Sequence, residues 1–120
     1  MDNTDISVLT SRLEKLEDLE AVRHTWRDYC IRLDSEDWSG LKDVFCEDAT
    51  LEMYGLNTLI PDVDGVYRGR TGIVDEFYRP AIVEAAAENA GLMATGLFST
   101  NMQIDLNGSE ATTLAYFFEI

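Results

Sequence analysis

A phenol and a carboxylate stand five residues apart in Trp26-Arg27-Asp28-Tyr29-Cys30-Ile31-Arg32-Leu33-Asp34, where a helical pattern gives way to a turn. Tyr29 and Asp34 are residue types that handle protons. A carboxylate in a dry pocket has a raised pKa and serves as base or acid near neutrality. A nearby phenol can donate a hydrogen bond to a developing oxyanion. Five residues turn about 500° of helix, which leaves the two side chains about 140° apart on an ideal helix. They converge only if the helix loosens near Leu33, as the following Ser35-Glu36-Asp37 turn would permit. If both point into a pocket roofed by a sheet, they form an acid/base pair. Otherwise Tyr29 is a core aromatic and Asp34 is a turn carboxylate that caps the next helix.

The elements that must position this pair follow from hydrophobic spacing. Residues 1–5 read as a disordered polar lead. Leu9, Leu13, Leu16, Leu19, Val22, Trp26, Tyr29 or Cys30, and Leu33 recur in steps of three or four, the helical period. Asp34 to Asp37 break that helix and supply N-cap candidates. A short second helix then carries Trp38, Leu41, Val44 and Phe45. The period changes to two at Ala49–Tyr54, which predicts a half-buried strand holding Met53 and Tyr54. Residues 55–65 form a loop that is apolar for its kind, with Leu56, Leu59 and Ile60. Such loops cover sites or plug cores. Residues 66–69 are a second short strand. Thr71 is the expected cap of a third helix bearing Ile73, Val74, Phe77 and Tyr78, and Pro80 interrupts or restarts it. An alanine-rich helix over Ile82–Asn89 should stop at Gly91.

From Leu92 to Leu106 the chain reads as a long strand. Strict alternation places Leu97, Ser99, Asn101, Gln103 and Asp105 on one face. Asn107-Gly108 signals a hairpin into Ala111–Ile120. Trp26, Phe45, Met53, Tyr54, Phe77 and Tyr116 are core residues by default, and some of them would line any pocket. Leu97 and Asn101 are further pocket candidates, Asn101 being equally consistent with a solvated strand face.

At 120 residues the chain has the length of one domain, able to bury a core without disulfides. Its formal net charge of −14 argues against nucleic acid or an anionic membrane as partner. Cys30 and Cys46 lack metal-type spacing and fit reduced thiols in a cytoplasmic protein better than a disulfide framework. No basic segment followed by an apolar run suggests a signal peptide, and no apolar stretch approaches membrane-spanning length. The acidic pairs Glu17-Asp18, Glu36-Asp37 and Glu47-Asp48 lack the order of a metal site. Arg68 and Arg70, with no phosphate-cradling glycine pattern, read as surface residues.

In this order of elements, five segments resemble the SnoaL-like members of the nuclear-transport-factor-2-like superfamily. Leu19–Arg23, Tyr29–Asp34 and Asp37-Trp38 are similar to the family's opening helices. Phe45–Ala49 resembles its helix-to-strand junction. Gly65–Arg70 with Ile73 resembles its strand-to-helix turn. Ser99–Ile104 through Asn107-Gly108 and Ala111-Thr112 resembles its main hairpin. The resemblance covers roughly residues 17–120. It implies an α+β fold, a cone-shaped curved mixed β-sheet packed on N-terminal helices around an apolar pocket.

The resemblance also implies function. Family members include dehydratases, polyketide cyclases, dehydrochlorinases and ketosteroid isomerases, most of which need no metal or organic cofactor. Tyr29 and Asp34 match positions that act in bile-acid-dehydratase-like members. The implied activity is acid/base elimination, isomerisation or cyclisation of a hydrophobic small molecule such as a polyketide, steroid or terpenoid. The rival class is a non-catalytic binding or assembly module of the same fold. Two departures bear on that choice. The histidine that such members carry on the first hairpin strand is Leu97 here. The single histidine, His24, lies about 15 Å of helix from Asp34 and reads as a surface residue. Members also usually continue for two strands past the position of Ile120. Without those strands, Tyr116-Phe117-Phe118 would lie near an open sheet edge, which invites pairing with another copy in a dimer or trimer.

Overall fold

The structure is a computed structural model that describes residues 2–57, 60–88 and 97–119. It is α+β, with helices first and two two-stranded antiparallel sheets. By contact density the chain divides into two units. One holds the first part of the opening helix, to Asp28, with the C-terminal hairpin. The other runs from Tyr29 through the last helix.

Helix α1 spans Asn3–Asp34, 32 residues. Its first turn is capped by Asp2, whose carboxylate accepts the Asp5 backbone N–H at 2.9 Å. Residues 3–5 therefore belong to the helix. The other end closes without loosening. Ser35 still donates to the Ile31 carbonyl. Glu36 then turns left-handed at φ 55°, donating to Leu33, and Asp37 donates to the Arg32 carbonyl. This pair of bonds is the Schellman closure, with glutamate in the place glycine usually takes.

Asp37 then caps helix α2, Trp38–Val44, by accepting the Gly40 N–H at 3.0 Å. Arg32 holds the other carboxylate oxygen. Together these hold the Asp37 carboxyl below its usual pKa, the Gly40 bond first and Arg32 second. A Cβ on Gly40 would meet the Asp37 carboxylate and the Arg32 side chain, so a larger residue here would push that pair aside.

Strand β1, Thr50–Met53, pairs antiparallel with β2, Gly65–Arg68, Thr50 facing Arg68 and Met53 facing Gly65. The expected first strand is thus one residue shorter at each end. The loop between the strands is closed by Asp64. Its carboxylate accepts the N–H groups of Gly55, Leu56 and Asn57 at 2.6, 2.7 and 3.1 Å, and Asn57 Oδ1 accepts the Asp64 N–H at 2.8 Å. Leu59 of this loop lies outside the described residues.

Helix α3 begins directly after β2, at Gly69–Gly72, with Arg68 at the N-cap position and no side-chain cap bond, so Thr71 is not the cap. Gly69, at φ 74°, makes the sharp strand-to-helix turn and donates to the Ala49 carbonyl at 2.7 Å. The helix then widens into a π segment, Ile73–Tyr78, and resumes as α4, Arg79–Glu88. Arg79 donates five residues back, to Val74. Pro80 explains the widening. It has no N–H to give, and its ring would clash with the carbonyl four residues earlier in a regular helix. Of the two roles expected for Pro80, the restart is the observed one. The expected stop at Gly91 and the strand start at Leu92 lie outside the described residues.

In the other unit, β3, Leu97–Asn107, pairs antiparallel with β4, Glu110–Glu119, through the Asn107-Gly108 turn. Thr100 faces Tyr116, yet Gln103 faces Leu114, so β3 carries one extra residue. Asn101 sits in this bulge at φ 57°. A one-residue insertion reverses the faces beyond it. Gln103 and Asp105 therefore share the face of Thr100, and Ile104 and Leu106 share that of Leu97, which corrects the strict alternation read from the sequence. Trp26 of α1 packs on the Leu97 side of this hairpin, its ring 6.5 Å from that of Phe117.

Candidate functional site

Tyr29 enters a cluster of rings built by three elements. Its edge meets Phe45, just past α2, at 6.3 Å and Tyr78, of the π segment, at 5.9 Å. Phe45 stacks on Tyr78 at 6.2 Å. Phe77 extends the cluster to Tyr67 of β2, at 5.0 Å. These are the offset and edge-on geometries that aromatic quadrupoles favour. Inside the cluster the Tyr29 and Tyr78 hydroxyls are hydrogen-bonded at 2.9 Å. Two linked phenols polarise each other, and the one that accepts becomes the better donor. Tyr67 donates its hydroxyl to the Val63 carbonyl at 2.6 Å, tying the apolar loop to the same cluster.

The π segment brings Tyr78 here. It buries Ile73, Val74, Phe77 and Tyr78 together, so adjacent rings at 77 and 78 both turn inward. π turns of this kind occur often at functional sites.

α1 remains regular to its end, and Asp34 is exposed there while Tyr29 is half-buried. One turn back, Cys30 feels Asp34. Burial first, and the Asp34 charge second, push the Cys30 thiol above its usual pKa.

Of the residues singled out from the sequence, Tyr29, Phe45 and Phe77 share the cluster. Met53 is half-buried on β1, and Tyr54, just beyond it, is 69% exposed. Trp26, Leu97, Asn101 and Tyr116 lie in the hairpin unit. There Trp26 and Leu97 are half-buried, and Asn101 and Tyr116 are exposed. Tyr78, Tyr67 and Asp64 were not singled out as site residues. Tyr78 could have been found from its place beside Phe77 on the third helix's apolar side, and Asp64 from the Asn57…Asp64 pair at the loop's ends.

A small cleft of about 130 Å³ lies against this cluster, lined by Ile60, Asp62, Val63, Tyr67, Glu76, Phe77 and Pro80 among others. No helix among the described residues is long and apolar enough to cross a membrane.

Neither the curated proteins nor the solved structures provide a match to this chain. The family model of the SnoaL-like domain does match, over residues 14–120, a span that takes in Tyr29, Asp34, Phe45 and Tyr78 as well as both hairpin strands. The chain therefore belongs to the SnoaL-like domain family of the nuclear-transport-factor-2-like superfamily.

Proposed function

We propose that the protein is a cofactor-independent acid/base enzyme, a dehydratase, isomerase or cyclase, acting on a hydrophobic small molecule such as a polyketide, steroid or terpenoid. The superfamily supports the class, since its members are often cofactor-free isomerases and cyclases. The observation that carries the reading is the hydrogen-bonded Tyr29–Tyr78 pair in a ring of aromatics. In this reading Tyr29 donates to a substrate carbonyl as negative charge develops on its oxygen, and Tyr78 holds the phenol in place. Asp34 takes and returns the proton. We place the protein in the cytoplasm, as its two free cysteines suggest, and working as a homo-oligomer.

The test is turnover of a panel of hydrophobic hydroxyketones and enones, followed by mass change and by proton exchange next to the carbonyl. Asp34→Asn should lower turnover about 100-fold, and Tyr29→Phe about tenfold or more. Unchanged turnover in Asp34→Asn removes Asp34 from the mechanism, and unchanged turnover in Tyr29→Phe removes the pair that supports the reading.

One observation favours a second reading, a binding module without catalysis. Asp34 is exposed at the end of α1, whereas a carboxylate working near neutrality gains its raised pKa from a dry pocket. That reading expects ligand affinity to survive Asp34→Asn and no substrate of the panel to turn over.

A further inference from the structure

The first half of α1 carries an apolar stripe that its own unit leaves in solvent. Ile6, Leu9, Leu13 and Leu16 are 50–63% exposed, whereas Leu19, Val22 and Trp26 further along the same helix are half-buried. The exposed residues follow steps of three, four and three. These are the a and d positions of two heptads, with Ile6 and Leu13 at a and Leu9 and Leu16 at d. The next a position is Glu20, an acid bound to Arg27 and Arg23 of its own helix, and there the seam ends. Val8, also exposed, is one residue off the seam.

The flanking charges say what fits this seam. Arg12 is at g and Glu17 at the following e position. On one helix they stand about 140° apart and do not meet. Across a parallel, in-register pair of helices, g of one chain faces the next e of the other, so Arg12 meets Glu17 twice, once on each side of the two-fold axis. An antiparallel pair sets g against g and e against e and loses both contacts. In the first heptad a β-branched residue at a with leucine at d, Ile6 with Leu9, also favours two parallel strands, while the second heptad has leucine at both positions. A seam this short would not hold a free peptide together. Here α1 is already helical as part of the folded chain, so the cost of nucleating the helix does not fall on association.

We propose that residues 6–17 of α1 form a parallel two-stranded coiled coil with a second copy of this chain. Most of the seam precedes or only just enters the region that matches the family model, which begins at residue 14. The interface is independent of the catalytic reading and of any pairing through the hairpin edge.

The test is sedimentation of the full chain across a wide concentration range. The unaltered protein should reach a dimer. Leu9→Glu with Leu13→Glu should be monomeric, with its circular dichroism and unfolding midpoint at low concentration unchanged, because both side chains are exposed in the single chain. Arg12→Glu alone should weaken the dimer about tenfold by placing like charges together at both symmetry-related contacts. Arg12→Glu with Glu17→Arg should recover affinity to within about twofold. A monomeric or trimeric parent, a Leu9/Leu13 variant that still dimerises, or a charge swap that fails to recover affinity would each overturn the proposal.

Discussion

Tyr78 is 9% exposed and Tyr116 is 63% exposed. The two residues stand for the two units of the chain. In the unit from Tyr29 through α4, Leu33, Leu41, Val63, Ile73, Val74, Phe77 and Tyr78 are buried, and they are the buried apolar residues among those described. In the unit of α1 and the hairpin, Leu114, Tyr116 and Phe117 are each more than half exposed, as are Leu13 and Leu16. Apolar sequence is abundant in both. What differs is connection. Short elements joined by tight turns, namely Asp37, Gly69 and the loop held by Asp64, fold the first unit's apolar faces onto one another. A long helix and a two-stranded hairpin have too few faces to cover their own, because an isolated two-stranded sheet leaves at least one side bare. One unit is built to close around its aromatic cluster, and the other presents surface.

The largest expected effect tests that contrast directly. Phe77→Ala should lower unfolding stability by about 3–5 kcal/mol, since a nearly buried ring leaves a cavity. Leu114→Ala, at an exposed position, should change it by less than about 0.5 kcal/mol. Urea denaturation measures both, and equal losses would mean that the hairpin is packed as tightly as the cluster.

A smaller effect sharpens the role of the phenols. Tyr29→Phe and Tyr78→Phe should each cost about 1 kcal/mol. The double variant should cost clearly less than the sum, because both singles remove the same bond. Strict additivity in this cycle would show that the two hydroxyls are energetically separate.

The smallest effect concerns reactivity. At neutral pH a thiol reagent should modify exposed Cys46 well before Cys30, which burial and the Asp34 charge keep protonated. Both causes disfavour the thiolate, so Asp34→Asn should lower the Cys30 pKa and speed its labelling a few-fold at fixed pH. An unchanged Cys30 rate would show that Asp34 does not face it, and would bear on where that carboxylate points in any mechanism.

Much of the site's material was legible in the sequence. Tyr29, Phe45 and Phe77 stood on apolar stripes, and residues on such stripes pack. That Tyr29 would meet Tyr78 was not legible, since it depends on the π turn that Pro80 imposes and on the direction in which Gly69 launches the helix. The end of α1 read as able to loosen near Leu33, and the Schellman closure at Glu36 keeps it regular. The bulge at Asn101 hid for a related reason. Alternation is a local rule, and a single residue added opposite Ala115 reverses it with no change in composition.

The sequence by itself determined the α+β class, the order of elements, a capped break within Asp34–Asp37, the Asn107-Gly108 turn and the family, because these depend on spacing and on residues a few positions apart. Tertiary structure alone decided which phenol partners Tyr29, which face of the hairpin each side chain occupies, and where the apolar stripe of α1 passes from half-buried to solvent. Those outcomes depend on contacts between residues far apart in the chain, whose direction is set by left-handed turns, a proline and a bulge that periodicity cannot register.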